Sequence, residues 1–241
     1  IINNQNKTAG YVAILTDPLD KKNILKIPNS IIKIARSMFE TTKIPDYWVK
    51  YLNQYFDAVA VPATFLIEVY KNSGVQIPIF LLPECFGSYI DKFFESDIKT
   101  KRNNPFIFGC SASLFEHKNH ILLLRSFINK YKNNNNVKLK LHIKTIADIK
   151  AMQEINNIII QENITNGELT IGCLNSKEYL EFMKSLDCYV LVSKGEGFSF
   201  TPREALALGI PCILSNNSAH KELCETPYVI PVKSEIREIA K

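Results

Sequence analysis

The stretch KGEGFSFTPREALALGIPCILSN, residues 194–216, holds two carboxylates, Glu196 and Glu204, with seven residues between them. Gly195 and Gly197 flank Glu196, in a chain with only nine glycines. A carboxylate in a loop can bridge two sugar hydroxyls, and one in the first turn of a helix can do the same for a ribose diol. Glycines on either side let the backbone approach a ligand and adopt conformations closed to other residues. A helix opening near Thr201 would turn its positive end, and the amides of Phe200, Thr201 and Arg203, toward an anion. Pro202 has no N–H to lose there. These residue types fit a sugar nucleotide, with the sugar at the loop Gly195–Thr201 (Phe198 and Ser199 included), the diphosphate at the helix start and the ribose beside Glu204. A plainer reading makes Thr201-Pro202-Arg203-Glu204 a capping box, with Thr201 at the N-cap and Glu204 reaching back to it. That accounts for Glu204 and leaves GEGF unexplained.

The surrounding segments must position these groups. From residue 105 onward, apolar strand-like runs (PFIFGCSA, VKLKLHIKT, ELTIGCL, CYVLVS, IPCILSN) alternate with helical spacing (HILLLRSFINKY, IADIKAMQEINNIIIQENI, SKEYLEFMKSL with a Ser cap, TPREALALG stopped by Gly209). Such alternation implies a parallel, doubly wound sheet, whose ligands bind beyond the carboxyl ends of the strands. GEGFSF follows the run CYVLVS, at such an end. The first hundred residues alternate less cleanly, with GYVAILTD, SIIKIARSMFE, AVAVPAT and IPIFLLPE as strands and PDYWVKYLNQYF and FLIEVYKNSG as helices. We expect an α/β architecture of two Rossmann-like lobes with a cleft between them. The N-terminal lobe covers 1–97, a linker 98–104 and the C-terminal lobe 105–241.

Composition narrows the function classes. At 46% apolar and 22% charged residues the chain is globular rather than disordered. The net charge of +5 is scattered, with KTKR at 99–102 the one dense cluster. That balance is compatible with an anionic ligand or a peripheral place at a membrane surface, and too weak for nucleic acid. No run approaches eighteen apolar residues and the first residues lack a signal-peptide pattern, so a cytoplasmic location is expected. The six cysteines form no C-x-x-C pair and read as free thiols, largely buried in strand-like runs.

The stretch from Ser193 to Glu222 resembles the donor-binding signature of retaining GT-B glycosyltransferases of the group 1, or family-four, type. Glu196, Gly197, Phe198, Glu204, Ala205, Gly209, Pro211 and Ser215 stand in register with its E-x7-E pattern. EHKNHILLLRSF is similar to the family segment whose lysine contacts the donor diphosphate, here Lys118. MFETTKIPDYWVKYLNQYFDAVAVPATF resembles a stretch of the family's first lobe, so the likeness spans about 31 to 225. It implies transfer of a hexose, with retention, from a UDP- or GDP-sugar to a glycan, lipid-linked or protein acceptor. Glu196 and Lys118 would be catalytic, and Glu204 would bind the donor. No cofactor is implied. Without a D-x-D motif no metal is either, so Lys118 and the helix N-terminus would carry the charge a metal neutralises elsewhere.

The sequence departs from that pattern in two ways. The Arg usual after the first strand of the donor lobe is missing from FGCSASLF, and Lys144, near the end of VKLKLHIKT, is the best substitute; a solvated lysine is the plainer reading. The chain is also short for such an enzyme, so the N-terminal lobe reads as shortened, in a compact member or a fragment. Histidines 117, 120, 142 and 220 read as packing or surface residues. Glu40 and Thr41 are acceptor-side candidates, against a reading in which Thr41 or Thr42 caps the helix after Pro45. Two alternatives to transfer are a degenerate module that binds nucleotide or glycan without turnover, and a sugar-nucleotide epimerase of the same fold.

Overall fold

The computed structural model describes residues 12–16, 19–86 and 98–236. They fall into two units: Ile1–Cys85 with Glu196–Phe198, and Phe86–Gly195 with Ser199–Lys241.

The first unit carries β1 (Val12–Leu15), α1 (Lys21–Ile24), β2 (Ile32–Arg36), α2 (Asp46–Tyr55), β3 (Ala58–Val61), α3 (Thr64–Ser73) and β4 (Ile79–Leu81). The four strands are parallel and ordered β1-β2-β3-β4. Every residue of β3, sequence AVAV, is buried, as a strand covered on both faces requires. α3 stops where Gly74 takes φ 103°, a left-handed C-cap that costs glycine nothing. The strand expected through SIIKIARSMFE ends at Arg36, so Glu40 lies in the bend that follows rather than at a strand's end. Neither Thr41 nor Thr42 caps α2: its N-cap is Pro45 with no side-chain bond, and the Thr41 hydroxyl donates to the Lys43 carbonyl at 2.9 Å.

The second unit carries β5 (Phe106–Leu114), a 3-10 turn (Glu116–Lys118), α4 (His120–Tyr131), β6 (Val137–Ile146), α5 (Ile149–Gln161), β7 (Gly167–Ile171), α6 (Ser176–Lys184), β8 (Cys188–Leu191), α7 (Phe200–Ala207), β9 (Cys212–Ser215), α8 (His220–Leu223) and β10 (Val229–Val232). Its six strands run parallel in the order β10-β9-β8-β5-β6-β7. Numbered within the unit this is the doubly wound order 3-2-1-4-5-6, whose direction reverses between β5 and β8. α6 is capped not by Ser176 but by Asn175, which accepts from Lys177 and Glu178 while the Glu178 carboxylate accepts the Asn175 N–H. Strand β10 and helix α8 lie beyond the elements assigned from the sequence. The core is built from Leu139, Leu141 and Ile143 of β6, Ile155 of α5, Met183 of α6 and Leu214 of β9.

Asp187, just before β8, ties the 98–104 segment to this unit. It pairs with Lys99 at 3.0 Å and accepts the Asn103 and Ile107 amides at 2.9 and 2.8 Å. Burial alone would raise its pKa, but these donors together hold it below the usual carboxylate value. Of the cysteines in strand-like runs, Cys110, Cys188 and Cys212 are buried, whereas Cys173 lies past the end of β7 and is exposed. Burial pushes the Cys188 thiol up to about 12, so it stays protonated and inert. No helix among the described residues is long and apolar enough to cross a membrane.

Candidate functional site

Two loops leave the sheet at its switch point, one after Leu114 of β5 and one after Leu191 of β8. Three interactions join them. The Lys194 N–H donates to the His117 carbonyl at 2.7 Å, the Asn119 side-chain amide donates to the Val192 carbonyl at 2.9 Å, and Lys194 pairs with Glu116. Lys118 ends the 3-10 turn of the first loop, half-buried. Asn119 follows at φ 59°, a left-handed conformation that asparagine tolerates better than most residues.

The second loop leads into α7, whose start differs from the capping box. Phe200 is the first helical residue and Ser199 the N-cap, so Thr201 sits one residue inside the helix and caps nothing. Thr201 instead hydrogen-bonds the Tyr189 hydroxyl at 2.7 Å, and Tyr189, fully buried, donates to the Ser111 carbonyl at 2.9 Å. Glu204, 2% exposed, accepts from the Tyr179 hydroxyl of α6 at 2.6 Å. Gly195 and Gly197 were expected to allow close approach to a ligand and conformations closed to other residues; neither has a positive φ, and the glycines that do among the described residues are Gly74, Gly172 and Gly209. The left-handed residue of this loop is Ser199, at φ 66°. Gly197 answers to space rather than to dihedral angle, because a Cβ there would run into the Met38 side chain.

His220 closes the arrangement. It is wholly buried, with Nε2 2.8 Å from the Ser199 hydroxyl and Nδ1 3.2 Å from the Ser215 hydroxyl. Burial, and then the positive charge of Lys118, lower its pKa to about 4. The charge of Lys118 therefore acts on the residue whose ring bonds the N-cap of α7. Burial, and then the charge of Lys118, lower His120 to about 4 as well, against the Ala112 backbone, which favours the protonated ring. The sign follows from linkage. Both imidazoles are neutral when folded and take a proton near 6.5 when unfolded, so stability is full above about 6.5 and falls as pH drops toward 4. Each histidine should contribute up to roughly 3 kcal/mol of that loss. Urea unfolding measured from pH 7 to 4 should show a falling midpoint, with a shallower fall in His220→Asn. A flat profile would contradict the buried, neutral state.

Of the groups expected from sequence, Glu204, Ser199, Phe200 and Thr201 come together at the start of α7, with Gly195 in the loop ahead of it. Glu196 and Phe198 are buried, at 3% and 6% exposure, and Glu196–Phe198 groups with the first unit. Lys144 lies within β6, exposed and two residues before the strand's end. Sequence reasoning missed Tyr179 and Tyr189, took Ser215 only as a match to the family pattern and His220 as a packing or surface residue, and took Arg203 only for its backbone N–H. The Arg203 guanidinium pairs with Glu222 at 3.5 Å. No local pattern pointed to these contacts, since each side chain meets a partner twelve or more positions away in the sequence. No group of three or more His, Cys, Asp or Glu that could hold a metal ion occurs among the described residues.

Residues 91–239 match the family described as glycosyl transferases group 1. The chain belongs to that family. The matched stretch contains both switch-point loops and all of α7. A curated relative, uncharacterized protein 356 of Sulfolobus islandicus rod-shaped virus 1, is 19% identical over 213 residues, covering 80% of this chain and 57% of its own. Among solved structures, TarM superposes with a TM-score of 0.71 at 16% identity, over 91% of this chain and 44% of TarM. The pneumococcal O-GlcNAc transferase GtfA, in complex with UDP and GlcNAc, gives 0.64 at 16% identity, over 84% and 42%. Anabaena Alr3699/HepE, in complex with UDP and glucose, gives 0.64 at 13% identity, over 81% and 56%. These likenesses show the GT-B fold, with a parallel α/β sheet in each unit. The chain spans about half the length of these relatives.

Proposed function

We propose that this chain transfers a hexose from a UDP- or GDP-sugar to a glycan, lipid-linked or protein acceptor, with retention and without a metal. The observation that carries the reading is the start of α7 at the switch point, held by Tyr189 and His220 under the charge of Lys118. A fixed helix N-terminus beside a cation is preorganised for a diphosphate leaving group and needs no rearrangement as charge develops. Glu204, oriented by Tyr179, is suited to the ribose, and Glu196 to the hydroxyls of the transferred sugar. The structures of GtfA and HepE each hold UDP together with a sugar, and we extend that donor class to this chain.

In the reaction, the bond from the sugar anomeric carbon to the β-phosphate oxygen breaks. The acceptor oxygen bonds to that carbon on the same face, and its proton passes to the departing phosphate. Incubation with UDP- and GDP-sugars and a panel of acceptors should release nucleoside diphosphate at an undiminished rate in excess EDTA. Activity lost on chelation and restored by manganese or magnesium would contradict the metal-free mechanism. Binding of UDP or GDP without turnover on any acceptor would favour the binding module.

A further inference from the structure

Ser199 combines two features that call for a cause. A serine held in the left-handed region is strained, and such strain persists only where the surroundings over-determine it. As N-cap, its hydroxyl would ordinarily accept a helix amide, but it makes no such bond here. The third helical residue is Pro202, which has no N–H to offer. The hydroxyl is instead 2.8 Å from Nε2 of His220.

The hydrogen positions follow from the partners. Ser215 has one hydroxyl proton, and it goes to the Ser193 carbonyl at 2.7 Å, which can only accept. Nδ1 of His220 must then donate to the Ser215 oxygen, which leaves Nε2 bare to accept from Ser199. The neutral Nδ1–H tautomer thus makes one directed chain: Ser199 hydroxyl, His220, Ser215, Ser193 carbonyl. Its two ends are the two ends of the loop that carries Glu196. The Ser193 end has a second tie, the Asn217 side-chain amide at 3.1 Å.

We propose that His220 is a positioning residue of the donor site, clamping both ends of the 193–199 loop and fixing the first turn of α7 for the donor diphosphate. This rests on the nucleotide-sugar reading above. A purely packing role would be served by a phenyl ring; the hydrogen-bonded chain requires the imidazole.

The test compares the parent chain with His220→Phe, Ser199→Ala and the double variant, by amide hydrogen exchange and by calorimetric titration with UDP and GDP. Each single change should speed exchange at Ser199, Phe200 and Thr201 and weaken nucleotide binding by about tenfold, the scale of one hydrogen bond. Exchange at the Ser193 end should rise less because of Asn217, and Tyr189–Leu191 should not move. The double variant should be no worse than the worse single, since both remove the same link. Should His220→Phe fail to fold, Ser199→Ala, which leaves the core intact, decides alone. Parental exchange and affinity in Ser199→Ala, or strictly additive losses in the double, would overturn the clamp. A parent that binds neither nucleotide would overturn the donor reading, which the exchange measurement does not depend on.

Discussion

Lys118→Ala should lower kcat by about three orders of magnitude. The leaving diphosphate gains negative charge as the glycosidic bond breaks, and the arginine that usually shares this load has no counterpart in FGCSASLF. A unit charge pair ~4 Å apart at an effective dielectric near 20 interacts by about 4 kcal/mol, or roughly a thousandfold in rate. Lys118 lies at the switch point, and its charge is felt at both His120 and His220. Lys144→Ala is the informative comparison. Lys144 is exposed on β6, and its loss should cost under about threefold in rate, a surface-charge effect. Steady-state kinetics with saturating donor reads both. Full activity in Lys118→Ala would move the diphosphate elsewhere.

The next largest effects should come from the two glutamates, and they should differ in kind. Glu196→Ala should chiefly lower turnover, because its carboxylate is assigned to the transferred sugar. Glu204→Ala should chiefly weaken nucleotide binding, because its carboxylate is assigned to the ribose. Each loss should be roughly 1–3 kcal/mol, as for a buried carboxylate losing a hydrogen-bonded partner. Glu204 is not part of a capping box, so its removal should not fray α7 through a lost cap. It does leave the Tyr179 hydroxyl without its acceptor. Separate kcat and KM values for the donor, with melting temperatures, read the split. A lowered melting temperature with unchanged nucleotide affinity in Glu204→Ala would mean the carboxylate serves only the fold.

Much of this was legible in the residue order. Continuous apolar runs such as AVAV and CYVL mark buried parallel strands, and both are buried throughout. Gly74 and Gly209 mark helix ends, and both are left-handed. The glutamate spacing and KNH segment pointed to the family that the comparison with known proteins then matched. What could not be read depends on partners distant in sequence. Thr201 looked like an N-cap because Thr-x-x-Glu is a local pattern, yet the helix starts earlier, where His220 engages Ser199 and Tyr189 takes up Thr201. His220 itself read as a packing or surface residue, and it is buried, but no local periodicity marks an imidazole that bonds twenty-one positions back. At α6 the failure was one of register, Asn175 capping in place of the adjacent Ser176.

The central claim is that a diphosphate binds at the start of α7 beside Lys118. Parallel titrations of UDP and uridine into the parent chain and into Lys118→Ala test it most directly, provided the base is uracil; GDP and guanosine replace them otherwise. The parent should bind the diphosphate at least about a hundredfold more tightly than the nucleoside, as charge-assisted bonds to two phosphates demand, and Lys118→Ala should lose most of that preference. Equal affinity for diphosphate and nucleoside in the parent, or a preference untouched by Lys118→Ala, would contradict the account.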